Sequence, residues 1–131
     1  MKQWTEKLKH NLDSVQTHAY NLKHALRLEA EASKALLEAE EALENAIAQA
    51  TADGRVFGRN REEREARARI LFPDLYGRVL EAKKNHLEAR ARLEGIRAQL
   101  QAALALIEAS KTLLRHEEIK LEHMRKQEGV W

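Results

Sequence analysis

The chain has 131 residues, of which 34% are charged and 5% aromatic, and its 23 basic and 21 acidic side chains leave a formal net charge of only +2. Because it contains no cysteine, it has no disulfide framework, no thiolate metal site and no cysteine nucleophile. A composition rich in Ala, Leu, Glu, Lys and Arg is typical of long helices and coiled coils, so apolar surface has to be buried along a narrow seam or between subunits.

The length predicts a single helical domain over residues 1–131. No apolar run approaches the roughly 20 residues that span a bilayer, and no apolar segment of the secretory type follows the basic N-terminus. We therefore expect a cytoplasmic protein that makes no membrane contact.

The first predicted helix covers residues 4–52, which contain neither proline nor glycine. Apolar and small residues recur there in alternating steps of four and three, the spacing of one coiled-coil face. The predicted seam consists of Leu8, Leu12, Val15, Ala19, Leu22, Leu26, Ser33, Leu36, Leu43, Ile47 and Ala50. Glu29 and Glu40 interrupt it, and a neighbouring stripe through Ala30 and Leu37 indicates a small drift of the seam.

The connector, residues 53–72, is predicted to contain a turn and a short helix. Gly54 ends the first helix, because glycine tolerates the left-handed conformation of a helix C-cap. Asn60 with Glu63 three residues later fits a capping box, and the short helix ends before Pro73. The two long helices are thus expected to be joined by a capped helical segment.

Every positive charge of the connector is an arginine, six in all against three glutamates that follow Asp53. They are Arg55, Arg59, Arg61, Arg64, Arg67 and Arg69. Guanidinium groups match phosphate oxygens in geometry, and the two glycines of the turn would let backbone approach a ligand, so these arginines are candidate nucleic-acid contacts. Internal ion pairs from Glu63 to Arg67 and from Glu65 to Arg69 would explain the same arginines without any ligand.

Three aromatic side chains accompany the arginines, namely Phe57, Phe72 and Tyr76. Such rings either stack on bases or pin the short helix to the end of the hairpin. Both interpretations stay open from the sequence, although the pinning role is the simpler one.

The second long helix is predicted over residues 73–126, with Pro73 in its first turn. Its seam keeps the same rhythm for about seven heptads, with Leu, Ile or Val alternating with Ala or Ser. The seam residues are Leu75, Val79, Ala82, His86, Ala89, Leu93, Ile96, Leu100, Ala103, Ile107, Ser110, Leu114, Glu117, Leu121 and Met124. Small residues at one of the two seam positions favour close antiparallel pairing, and His86 is expected to be hydrogen-bonded and to fix the register.

Equal lengths and a short connector predict an all-α fold, a long antiparallel, coiled-coil-like helical hairpin with a short helix in the connector. The acidic segment 29–53 then lies beside the basic first half of the second helix. The residues expected to face each other are Glu38, Glu40, Glu41 and Glu44, and Lys83, Lys84, Arg90 and Arg92. This pairing would explain most of the uneven charge distribution without a partner.

Leucines outside the seam indicate association with another chain. They are Leu80, Leu87, Leu104, Leu106 and Leu113. An isolated two-helix hairpin leaves such a second apolar stripe exposed, so we expect a homo-oligomer or a partner helix.

No catalytic residue, metal site or cofactor is predicted, and the chain is not expected to be an enzyme. The six histidines lack the His-Glu-x-x-His and Glu-x-x-His spacings of known metal sites. His116 and His123 share a face but have no third ligand in register. Asp53 and Asp74 are sufficiently explained as turn and cap residues.

The order of a long helix, a turn, a short charged helix and a long last helix resembles the UvsY-type recombination mediators of tailed bacteriophages. The Asp-Gly-Arg turn at 53–55 and the Ile-Lys and Met-Arg pairs at 119–120 and 124–125 carry this resemblance. It implies a ring-forming oligomer in the host cell cytoplasm that binds single-stranded DNA and helps to load a recombinase. More broadly, residues 58–66 resemble a turn-plus-helix signature of small helical phage proteins.

Two classes of function therefore compete. The first is a non-enzymatic phage-type accessory protein, oligomeric, that binds single-stranded nucleic acid in recombination or replication and acts with a recombination or replication protein. The alternative is a helical protein–protein interaction module, such as a phage inhibitor of a host enzyme or defence system. A structural coiled-coil spacer, with Trp4 and Trp131 as terminal anchors, belongs to the same alternative.

Overall fold

The computed structural model describes residues 2–129, and that part of the chain contains three helices and no strand. The helices are α1 (Lys2–Ala52), α2 (Arg61–Leu71) and α3 (Pro73–Glu128). The prediction of an all-helical chain is confirmed, and the two long helices pack against each other. Both long helices extend two residues further than predicted, at the start of α1 and at the end of α3.

Contacts divide the chain into two compact units. Unit 1 combines Met1–His24 with Glu94–Trp131, and unit 2 is Ala25–Leu93. The single domain over residues 1–131 stays a prediction. Trp131 and the side chain of Trp4, the predicted terminal anchors, lie outside the described residues.

In unit 1, the first part of α1 packs along the second half of α3. Asn11 Nδ2 donates a hydrogen bond to Ser110 Oγ at 3.3 Å, and both Ser110 and the seam residue Ile107 are buried. The predicted α3 seam is wrong only at its far end, where Leu121 and Met124 are 39% and 50% exposed. The start of α1 lies nine residues before Asn11, which is beside Ser110. Leu121 and Met124 lie more than nine residues after Ser110, so the described part of α1 ends before it can cover them.

The predicted α1 seam is wrong at alternate turns. The exposed residues among those predicted to face inward are Leu12, Ala19, Leu26 and Ser33. The preceding residue turns inward in each case, namely Asn11, His18, Ala25 and Ala32. Because a small side chain lets two helix backbones approach closely, Ala25 is buried at 2% exposure while Leu26 lies at the flank of the seam.

In unit 2, α1 and α3 run in opposite directions. Glu29 Oε1 lies 3.0 Å from His86 Nε2, and further along α1 Ile47 packs in a cluster that includes Tyr76. Contacts later in α1 therefore fall earlier in α3, as in an antiparallel pair. Glu29, which interrupts the apolar pattern in the sequence, is the partner of the seam histidine.

The acidic residues of α1 form no ion pairs with the basic residues of α3 that they were expected to face. Within the described residues, no pair of 4.0 Å or less joins Glu38, Glu40, Glu41 or Glu44 to Lys83, Lys84, Arg90 or Arg92. Glu38 instead approaches Lys34 of its own helix at 4.0 Å. Glu40, Glu44 and Lys83 line one cleft without closing on each other. Exposed long side chains gain little from fixed pairing, so the absence of such pairs is physically reasonable.

Candidate nucleic-acid interface

The turn after α1 is held by a Schellman motif. Gly54 has a φ of 75°, and its N–H donates to the Thr51 carbonyl at 3.1 Å. The Arg55 N–H donates to the Ala50 carbonyl at 2.8 Å, which completes the motif. The predicted C-cap role of Gly54 is confirmed, and the motif fixes the backbone from which Arg55 projects.

The start of α2 is capped by its own side chains. Asn60 Oδ1 accepts a hydrogen bond from the Glu63 N–H at 2.9 Å, so the predicted N-cap is confirmed. The Glu63 carboxylate accepts from the Arg59 N–H at 2.8 Å, one residue before the cap rather than at the cap itself. The N–H groups of Glu63 and Arg59 are thus both hydrogen-bonded at the start of the helix. The Glu63 carboxylate is used in this contact with the turn.

Gly58 is required by α2 rather than by a ligand. A Cβ added at this position would lie 2.7 Å from Glu63 Cβ and 3.0 Å from the Arg64 backbone nitrogen. The space that the sequence suggested for ligand approach is therefore occupied by the first turn of α2. The consequence is a turn packed tightly against the helix that follows it.

A small apolar cluster holds α2 on the long helices of unit 2. Its buried members are Ala50, Val56 and Ala68, and the half-buried side chains packed against them are Ile47, Leu71, Phe72 and Tyr76. Phe72 and Tyr76 thus have the pinning role that the sequence left open. Phe57 does not belong to this cluster and is 60% exposed.

Three of the six candidate arginines have partners within the connector region. Arg61 Nε lies 3.0 Å from Glu65 Oε1. The guanidinium carbon of Arg67 lies 4.8 Å from the centre of the Phe57 ring, and that of Arg69 lies 5.8 Å from the Tyr76 ring. These contacts replace the predicted pairs Glu63–Arg67 and Glu65–Arg69, because Glu63 binds the turn backbone and Glu65 pairs with Arg61.

The other three candidate arginines have no such partner. Arg55, Arg59 and Arg64 are exposed, and no ion pair or ring contact engages their side chains in the described part of the chain. Arg55 and Arg59 flank the turn, and the Arg64 side chain starts beside Gly58. The connector therefore presents uncommitted guanidinium groups on both sides of the turn.

A cleft of about 650 Å³ lies between α2 and the neighbouring helices of unit 2. Arg61, Arg64 and Arg69 line it. Arg55, Arg59 and Arg67 are not among its lining residues. Its apolar lining includes Ile47 and Val56, and its acidic lining consists of Glu44 and Glu65. Three arginines and two glutamates thus line this cleft, so the glutamates offset much of its positive charge.

The five leucines predicted for association do not lie along one face of α3. In unit 2, Leu80 and Leu87 are 67% and 66% exposed and lie seven residues apart, on one face. In unit 1, Leu106 and Leu113 line a cleft of about 960 Å³ with Ala109. Leu104, also exposed, precedes Leu106 by two residues and so points about 200° away from it.

Among residues 2–129, no group of three His, Asp or Glu side chains is placed to hold a metal ion. No helix in the same part of the chain has an apolar stretch long enough to cross a membrane. In comparisons with known proteins, no family model matches the chain, and no curated protein or solved structure matches it. The functional assignment therefore depends on the residues and their geometry.

Proposed function

We propose that the chain is a non-enzymatic accessory protein that binds nucleic acid through the arginines of its connector. The observation that carries this proposal is the exposure of Arg55, Arg59 and Arg64 without an ion pair among the described residues. Of the three connector glutamates, Glu63 is engaged by a backbone N–H and Glu65 by Arg61, whereas Glu62 is exposed in the first turn of α2. Uncommitted guanidinium groups bind phosphate oxygens through charge-assisted hydrogen bonds.

The biological setting is proposed on the sequence resemblance alone. A UvsY-type mediator binds single-stranded DNA, so the proposed ligand is a single strand and the proposed process is recombination or replication. On the same basis the protein acts in the cytoplasm of a phage-infected host, beside a recombination or replication protein. Metals, cofactors and catalytic groups have no part in this proposal.

Self-association extends the proposal, because three arginines per chain form only a weak site. Linked copies of a weak site bind a continuous strand far more tightly than one copy does. The exposed pairs Leu80 with Leu87 and Leu106 with Leu113 support a homo-oligomer, since apolar side chains at helical spacing favour packing against another helix. A single-domain antiparallel hairpin is the proposed protomer.

A protein–protein interaction module is the second candidate, and the same leucines favour it. An exposed apolar face with i, i+7 spacing suits a partner helix as well as another copy of the chain. In that case the connector arginines would bind no nucleic acid, and the partner would be a host enzyme, a defence protein or a virion component.

Binding of a labelled single-stranded oligonucleotide, followed by fluorescence anisotropy, tests the proposal. Phosphate contacts release counterions, so the affinity for a single strand falls as salt rises. Each contact lowers the logarithm of the binding constant by about 0.7 for every ten-fold rise in salt concentration. Three contacts per chain therefore predict a log–log slope near −2 per protomer bound. An absence of binding even at low salt would contradict the proposal and favour the interaction module.

A further inference from the structure

Phe57 stands apart from the other aromatic residues of the connector region. Phe72 and Tyr76 pack against the buried cluster of unit 2, whereas Phe57 remains 60% exposed and makes no part of that cluster. Burial in the cluster therefore does not account for Phe57, although a single exposed apolar side chain is common on protein surfaces.

The ring is nevertheless held in place. The Arg67 guanidinium lies over it at 4.8 Å from the ring centre, a cation–π distance. Val56, the residue before it, is buried at 6% exposure, and Gly58, the residue after it, abuts Glu63. Phe57 is thus anchored on both sides of its backbone and supported from α2.

The uncommitted arginines lie beside this ring in sequence. Arg55 and Arg59 are each two residues from Phe57, on opposite sides, and both are exposed. An aromatic ring flanked by free cations is the combination that binds unpaired nucleotides, because the bases stack while the phosphates are neutralised. In a duplex the bases are already stacked on one another and present no free face.

We propose that Phe57, supported by Arg67, is a stacking platform for one unpaired base, with Arg55 and Arg59 holding the adjoining phosphates. The inference rests on the proposed nucleic-acid function and supplies a reason, within the chain itself, for a single strand as ligand. Arg67 acts as a positioning residue, since its guanidinium supports the ring. The platform selects for bases, whereas the arginines alone bind any phosphate backbone.

The test compares two single strands of equal length, oligo(dT) and an abasic oligonucleotide with the same number of phosphates. We expect the full chain to bind oligo(dT) about ten-fold more tightly, the value of one stacked base. Phe57→Leu should remove this preference by weakening oligo(dT) binding while the abasic strand binds as before. Phe57→Trp, which restores an aromatic face, should retain it.

Tyr20→Leu is the matched control, because Tyr20 is an aromatic side chain of α1 that is 75% exposed. It should leave both affinities unchanged, and the thermal unfolding of all variants should match that of the parent chain.

Equal binding of the two strands by the parent chain would overturn the platform while leaving the phosphate contacts intact. An unchanged preference in Phe57→Leu would overturn it as well. Failure of the parent chain to bind either strand would overturn both the platform and the proposed function.

Discussion

His86 Nε2 lies 3.0 Å from Glu29 Oε1 between α3 and α1 of unit 2, in a seam that is mostly apolar. The two side chains are only 19% and 27% exposed. A polar residue in an apolar seam finds its partner in one register alone, since sliding either helix by a turn would leave it without a hydrogen bond. The pair therefore selects the alignment of α1 and α3 in this unit.

A double-mutant cycle on this pair should reveal coupling. We expect Glu29→Ala and His86→Ala to interact by about 1 kcal/mol in the free energy of unfolding, because each single change leaves the other polar group partly buried without its partner. Urea denaturation of the four chains measures it. The exposed pair Lys34 and Glu38, at 4.0 Å, is the control and should couple by close to zero. Equal coupling in the two cycles would refute the register role.

Gly58→Ala should destabilise the chain. The new Cβ would lie 2.7 Å from Glu63 Cβ and close to backbone, so the turn or α2 has to shift, at a cost of about 1–3 kcal/mol. Gly95→Ala should do the opposite and stabilise by about 0.5–1 kcal/mol, because Gly95 is in α3 with nothing within 4 Å of its added Cβ. Thermal unfolding monitored by circular dichroism compares the two. A Gly58→Ala chain as stable as Gly95→Ala would show that the turn is not packed on α2.

Asn60→Ala should cost about 1 kcal/mol, because Asn60 Oδ1 accepts the hydrogen bond from the Glu63 N–H. Its control is Asn45→Ala, an exposed substitution inside α1 that is expected to be neutral or slightly stabilising because alanine is the better helix former. Chemical denaturation gives both values. If the two substitutions behaved alike, the cap would contribute nothing to the start of α2.

Self-association is tested by the two exposed leucine pairs separately. Leu106→Gln with Leu113→Gln, and Leu80→Gln with Leu87→Gln, remove apolar side chains that are exposed, so helicity should be unchanged. We expect at least one double variant to lower the molar mass measured by sedimentation equilibrium. A parent chain that is already monomeric at high concentration would contradict the proposed homo-oligomer.

The helix caps could be predicted from the sequence because their determinants are local. Gly54 and the pair Asn60 with Glu63 act on backbone groups within a few residues, so the residue types alone indicate the geometry. The α3 seam up to Glu117 could likewise be predicted from the sequence, since its large and small residues alternate clearly.

The α1 seam and the partners of the arginines could not be predicted, because several choices were locally equivalent. Whether Ala25 or Leu26 faces inward depends on the space that α3 leaves, which no pattern within α1 records. Glu63 could pair with Arg67 by spacing, but its carboxylate accepts a hydrogen bond from the Arg59 N–H instead. Arg67 lies over the Phe57 ring. The sequence alone could not show this contact or the exposure of the ring.

The most direct test of the nucleic-acid proposal is a comparison of two triple variants with equal loss of charge. Arg55→Ala/Arg59→Ala/Arg64→Ala removes the uncommitted connector arginines, and Arg90→Ala/Arg92→Ala/Arg97→Ala removes three exposed arginines of α3. Single-stranded oligonucleotide affinity is measured by anisotropy over a range of salt concentrations. We predict that the connector variant binds more than ten-fold more weakly at low salt. The slope of its log affinity against log salt concentration should be shallower by about 2. The α3 variant should bind nearly as the parent chain does. Equal losses in the two variants, or none in the connector variant, would contradict the assignment of the connector as the nucleic-acid interface.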